Sequence, residues 1–278
     1  MSPGETRKRK DLFRKRKFRV NKGKKIDKKQ QIRSFKNKEE GPSRTKKNNG
    51  KSTILTQMKQ KLQGSRFRWL NELLYTSSGS EAFEIMKKQP ELYKEYHIGY
   101  RQQTEGWPTR PVDEAIKWLK CKPKKWIVAD LGCGDAELSN SVAQEVKSFD
   151  LLAAVPGIIA CNINNVPMAS ATVDVAIFCL SLMGKDYGSF VIEASRLLKT
   201  GGWLWIAEVQ SRFNTKNNAI LDDFIDCVEQ IGFDIRQNET KGSHFIVLTF
   251  QKREIAMKNE TSKSLGWPPL KACQYKKR

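Results

Sequence analysis

The chain lacks any run of 18 apolar residues, so no membrane-spanning helix is expected. Nor does it open on the apolar stretch of a secretory signal; Arg7-Lys8-Arg9-Lys10 stands there instead. No two of the six cysteines (Cys121, Cys133, Cys161, Cys179, Cys227, Cys273) form a C-x-x-C pair, and several lie inside apolar runs. This pattern points to a reducing, intracellular chain without structural zinc or disulfides. Acidic residues are scarce at both ends. Residues 1–66 hold 24 Lys/Arg against 5 Asp/Glu and residues 251–278 hold 8 against 2, whereas residues 67–250 hold 19 against 23. The net charge of +21 over 278 residues therefore belongs to the tails.

The first 58 residues also lack the aliphatic side chains needed to offset ordering entropy, which predicts a disordered basic arm over residues 1–58. Runs such as Arg14-Lys15-Arg16-Lys17 suit nuclear or nucleolar import and phosphate contact; a solvated solubility tail is the plainer alternative. Phe13, Phe18 and Phe35 are too sparse for a stacking platform. The remainder divides into a helical segment over 59–106, a folded domain over 107–252 and a basic tail over 253–278.

Leu55, Met58, Leu62, Phe67, Leu70, Leu73 and Leu74 recur at helical spacing, interrupted by Gly64. Ser78-Gly79-Ser80-Glu81 has capping-box spacing ahead of a second helix, which Pro90 should close. An aromatic cluster follows from Glu91 to Arg101 and carries His97, which composition alone reads as a packing residue. Pro111 fits the first turn of a helix reaching about Leu119.

Trp126-Ile127-Val128-Ala129-Asp130-Leu131-Gly132-Cys133-Gly134-Asp135 reads as a strand entering a tight Gly-x-Gly turn, with a helix predicted over 136–146. The turn lacks the third glycine of a dinucleotide fingerprint and the Lys-Ser/Thr of a P-loop. An acid before the glycines, Asp130, instead resembles the first motif of class I S-adenosylmethionine-dependent methyltransferases. Asp150, 18 residues beyond Gly132, stands where such a fold places an acid for both ribose hydroxyls. Strands follow near Ile158–Ile163, Val173–Cys179 and Trp203–Val209, helices over about Asp186–Leu198 and Asn217–Ile231, and a closing strand pair near Phe233–Gln237 and His244–Phe250. The expected fold is α/β: a Rossmann-like, seven-stranded mixed sheet. Only Ala153–Gly157 separates the second and third strands, too little for a crossover helix, so the N-terminal helices are expected to cover the exposed sheet face.

Four motifs together, Phe67-Arg68-Trp69-Leu70-Asn71-Glu72, Tyr96-His97-Ile98-Gly99-Tyr100, Ala129–Asp135 and Phe178-Cys179-Leu180-Ser181-Leu182-Met183-Gly184, resemble the nucleomethylin (ribosomal RNA-processing protein 8) family. Ala207-Glu208-Val209, Ser211-Arg212-Phe213 and the terminal Cys273-x-Tyr275-Lys276-Lys277-Arg278 agree as well, so the likeness runs from about Lys59 to Arg278. It implies a nuclear, nucleolar methyltransferase that modifies N1 of an adenine in large-subunit ribosomal RNA. It also raises a role in ribosomal-gene silencing through chromatin-silencing proteins and methylated histone H3; a protein methyltransferase is a further alternative. Neither a metal nor a membrane is implied.

For the cofactor, S-adenosylmethionine, the resemblance implies contacts at His97, Gly132, Asp150, Asn162, Ile163 and Cys179. It assigns no catalytic residue. Where the family has Cys-Asp-Met, this chain has Cys161-Asn162-Ile163; an Asn oxygen still accepts from an adenine amino group, without the strengthening charge. Glu208 reads either as an acid that stabilises a cationic product or as a structural acid at a strand end. Trp107 and Phe213 are candidates for stacking the target base, or core residues.

Overall fold

A computed structural model describes residues 49–213, 219–242, 244–254, 265–273 and 275. The expected arm falls outside these residues up to 48, but its last ten residues do not. They open a helix, α1 (Asn49–Thr76), that runs through Gly64 without a break. Next come α2 (Gly79–Lys88), α3 (Pro90–Thr104), α4 (Pro111–Lys120), β1 (Ile127–Leu131), β2 (Glu145–Asp150), β3 (Ile158–Ala160) and β4 (Val173–Cys179). The chain continues through α5 (Tyr187–Leu197), β5 (Leu198–Val209), a 3-10 turn (Gln210–Arg212), α6 (Ala219–Gln230), β6 (Phe233–Lys241) and β7 (Phe245–Lys252). The seven strands form one sheet in the order β3-β2-β1-β4-β5-β7-β6. Only β7 runs antiparallel to its neighbours.

The expected cap of α2 is present in both halves: Ser78 Oγ accepts from Glu81 N at 3.3 Å, and Glu81 Oε2 accepts from Ser78 N at 2.7 Å. Pro90 ends one helix and starts the next, because its missing N–H costs nothing in a first turn. The tyrosine-rich cluster is thereby part of α3, and His97 sits on a helix.

Two expectations fail. No helix follows the glycine turn; residues 133–141 form turns. Ala136 takes a left-handed φ of 55°, and the side chains of Ser139, Asn140 and Ser141 bond back to the carbonyls of Ala136 and Glu137. Such local bonds compete with a helical ladder. Nor do α1–α3 lie on a sheet face. One face is covered by α4 together with Leu138 and Val142 of the turns, the other by α5 and α6. Helices α1–α3 build a separate cluster around Leu70, Leu74, Met86, Leu92 and Tyr93, which meets Leu151, Leu152 and Met183 just beyond the ends of β2 and β4. They roof the carboxyl edge of the sheet. The short link between β2 and β3 suffices because only three residue pairs match, Ser148–Asp150 with Ile158–Ala160, so the chain returns only about 10 Å.

The segment expected as a basic tail is a docked strap over its described residues. Trp267 packs on Tyr187 and Phe224, the Tyr187 hydroxyl donates to Pro268 O, Lys271 N donates to Arg212 O, and Asn71 Nδ2 donates to Cys273 O. Tyr275 ends beside Phe67 of α1 with ring centres 5.0 Å apart. Phe67 also presses on Gly99 of α3, where a Cβ would stand 2.5 Å from the Phe67 Cβ. Gly99→Ala should therefore force α1 and α3 apart and cost about 1–3 kcal/mol in urea denaturation. Gly64→Ala, on α1, where a Cβ would meet only Arg68 Nη1 at an ordinary 3.5 Å, should gain up to about 1 kcal/mol.

Candidate functional site

The glycine turn gives the site its shape. Gly132 and Gly134 hold φ values of 83° and 56°, a conformation that side chains resist, and the N–H groups of Gly132 and Cys133 both reach Phe149 O, at 2.8 and 3.0 Å. Gly134 N then points at the end of β2 and donates to Asp150 Oδ2 at 2.6 Å, while Leu151 N donates to Oδ1 at 2.7 Å. The Asp150 carboxylate is 8% exposed. Burial raises its pKa above the usual range, against the pull of nearby His97 and of these N–H donors. Asp130, buried behind it, is pushed up to about 7 by burial and by the Asp150 charge.

Beyond β4 the chain turns sharply: Leu180 takes a left-handed φ of 59°, and Ser181 Oγ donates to Leu131 O at 2.5 Å. This places Ser181 against Gly132, where a Cβ would meet the serine Cβ at 2.4 Å. Burial holds the Cys179 thiol well above its ordinary pKa, so it stays protonated and is a poor nucleophile.

Helices α2 and α3 close the space above. Arg101 of α3 pairs with Asp135 at 2.7 Å, Arg110 pairs with Glu137 at 2.6 Å, and the Tyr96 hydroxyl donates to Met183 Sδ at 3.4 Å. The two ion pairs are about half exposed and worth at most about 1 kcal/mol each, so burial in the helical cluster carries most of the closure. His97, largely desolvated, has its pKa lowered and is neutral near pH 7. At the far end Asn162 Nδ2 donates to Ser80 Oγ at 3.0 Å and its Oδ1 accepts from Asn164 N at 3.1 Å, which fixes the loop after β3 to the start of α2.

A cavity of about 290 Å³ results, at the carboxyl ends of β1, β2 and β4, where open α/β sheets bind ligands. His97, Gly132, Asp150, Asn162, Ile163 and Cys179 all line it. Tyr93, Ser181 and Phe190 line it too; Ser181 belongs to the segment Cys179–Gly184 that the sequence puts at the top of the sheet beside the cofactor, whereas sequence reasoning assigned no contact to Tyr93 or Phe190. The Tyr93 hydroxyl lies close enough to feel the Asp150 charge, yet makes no hydrogen bond of sound geometry. A buried carboxylate beside an unsatisfied hydroxyl, with glycines that keep one wall bare, suits a ligand carrying ribose hydroxyls. Among the described residues no group of three His, Cys, Asp or Glu side chains is placed to hold a metal ion.

The sequence matches the family described as "Hypothetical methyltransferase" over residues 53–278. It is 44% identical over 239 residues to ribosomal RNA-processing protein 8 of Arabidopsis thaliana, spanning 86% of this chain and 83% of that one. It is 39% identical over 265 residues to the 25S rRNA (adenine(645)-N(1))-methyltransferase of Schizosaccharomyces pombe, spanning 91% and 80%. The chain belongs to the ribosomal RNA-processing protein 8 family of methyltransferases. Among solved structures, 1,6-didemethyltoxoflavin-N1-methyltransferase of Burkholderia thailandensis aligns with 18% identity and a TM-score of 0.48, over 59% of this chain and 87% of that one. As a member of the family this protein is a class I methyltransferase whose cofactor is S-adenosylmethionine, and the cavity residues fit that molecule.

Glu208 of this methyltransferase does not line the cavity. It is fully buried, its Oε1 accepts from Leu182 N at 3.0 Å, and its Oε2 lies 2.9 Å from Nη1 of the buried Arg212, an ion pair by distance that is not aligned as a hydrogen bond. Arg212 in turn donates to Leu182 O at 2.8 Å and Lys271 O at 3.1 Å. Glu208 is thus the structural acid of the two readings: it braces the loop beyond β4. Phe213 is a core residue against Phe224, whereas Trp107 is half-buried and lines a separate hollow. The family aspartate at position 162 would sit at the N-terminus of α2, where negative charge is favoured. Asn162→Asp should therefore leave cofactor affinity intact or tighten it by a few-fold in calorimetry; abolished binding would remove Asn162 from the site.

Proposed function

We propose that this protein methylates N1 of an adenine in large-subunit ribosomal RNA during ribosome biogenesis in the nucleus and nucleolus. The observation that carries this reading is the 39% identity, across 91% of the chain, to a relative named for that reaction on 25S rRNA. The polycationic first 48 residues add charge suited to phosphate neutralisation. Ribosomal RNA and the pre-ribosome are the partners on this reading.

When bound, S-adenosylmethionine supplies an electrophilic methyl group. Asp150 would accept from the two ribose hydroxyls, and the Tyr93 hydroxyl would donate to the same region. Gly132 and Gly134 let the backbone approach without side-chain obstruction. Asn162 and Ile163 would hold the adenine end, and neutral His97 and Cys179 would contact the cofactor from the walls of the same cavity. Adenine N1 already carries a lone pair, so no side chain has to remove a proton before transfer. The protein's contribution is orientation and exclusion of water, an effect bounded by effective molarities of roughly 10⁵–10⁸ M. Because N1 lies on the pairing edge, the substrate adenine has to be unpaired or flipped out.

Full-length protein, labelled cofactor and undermodified ribosomal RNA should yield N1-methyladenosine at one site by mass spectrometry, with Asp150→Ala losing both the mark and cofactor affinity. Cofactor binding without any RNA mark would favour the chromatin-adaptor alternative. Deletion of residues 1–48, which spares α1, should lower RNA affinity and flatten its dependence on salt while cofactor affinity stays within about twofold. Undiminished RNA binding after that deletion would refute a role for the arm in substrate capture.

A further inference from the structure

The hollow beside Trp107 has a volume of about 740 Å³, within the range of small-molecule sites. It opens at the carboxyl end of β5 and the start of β7, between Val209, Ser211 and Phe245. The last turn of α3 divides it from the cofactor cavity: Tyr100, Arg101 and Thr104 face the cavity, while Gln103 and, just beyond the helix, Trp107 face the hollow. Tyr100 and Trp107 meet edge to face with ring centres 6.1 Å apart, so the two spaces share one aromatic partition.

We propose that this hollow binds a second unpaired base of the RNA, the neighbour of the adenine that is methylated. The inference rests on the RNA reading above and adds a subsite to it. Trp107, with Phe245 at 4.9 Å and Tyr275 across the strap, offers flat aromatic surface. Trp107 is only half-buried, which leaves part of its ring free to stack. Gln103, Ser211 and Lys271 bring donors suited to a base edge and a phosphate. Among the described residues no Asp or Glu lines the hollow, although residues 67–250 carry more acids than bases and the cofactor cavity alone has Asp130, Asp135, Glu137 and Asp150. An anionic strand therefore meets no described carboxylate in its walls. A base over the cofactor and its neighbour against Trp107 straddle the end of α3, which fixes the strand in register at two points.

The test uses full-length protein, S-adenosylhomocysteine and single-stranded RNA oligonucleotides centred on the methylated adenine, with 2-aminopurine replacing one base at a time. Stacking in the hollow quenches the probe at one flanking position. Trp107→Leu abolishes that quenching and weakens RNA binding on the order of tenfold, Trp107→Phe restores both, and calorimetry finds S-adenosylhomocysteine affinity unchanged in each variant. Quenching at no flanking position, or only at the target itself, overturns the inference on the wild-type protein alone, whatever the variants do. Methylation at N1 without a quenched neighbour refutes this subsite and leaves the activity standing. A wild-type protein that marks no adenine refutes the reading on which the subsite rests.

Discussion

The Asp150 carboxylate ends β2 almost out of reach of water, and the neighbouring chain is arranged around that fact. Removing an ionised carboxylate from water costs several kcal/mol unless donors replace its hydration. Two backbone N–H groups do so here, from Gly134 and Leu151, as short charge-assisted bonds. Gly134 can present its N–H only in a left-handed conformation, and any Cβ there would stand 3.2 Å from the His97 ring. While burial keeps His97 neutral against the pull of the Asp150 charge, the glycine turn and the position of α3 are thus tied to one acid. Its charge reaches further, to Asp130, whose raised pKa records two carboxyl groups sharing one poorly solvated corner.

The sheet was legible in the sequence because buried parallel strands leave dense apolar runs, as at Val173–Cys179, and because turn residues punctuate them. The helix placed after the glycine turn was misread because Ser139, Asn140 and Ser141 satisfy the backbone locally, a competition that a window of mixed polarity does not reveal. Helix α3 was hidden for a different reason. Its inner face carries Tyr93, Tyr96, His97 and Tyr100 toward a polar cavity, so no aliphatic stripe marks it. The strap escaped notice because an extended segment held by separate anchors, Trp267, Cys273 and Tyr275, has no period to detect.

At the site, the strand-end acid and the glycines were readable from spacing, and the remaining contacts followed from family resemblance. Ser181 was readable only as part of the segment after β4, its bond to Leu131 not at all, and Tyr93 was not readable, because its hydroxyl comes to rest beside Asp150 only in the folded chain. The division of labour read from charge also needs one amendment. Of the two basic ends, the described part of the C-terminal one is built into the fold, and its exposed Lys271 stands at the rim of a hollow beside Trp107.

The strap has a temporal meaning as well. Asn71 of α1 bonds to the carbonyl of Cys273, a separation of 202 residues. Translation at about 5–20 residues per second puts roughly 10 to 40 seconds between those two residues. Throughout that interval Phe67 and Asn71 lack their last partners, and the buried Arg212 lacks Lys271, so the roof over the cofactor cavity stays incomplete until the strap has been made. A growing chain is left open at this seam until its strap can dock.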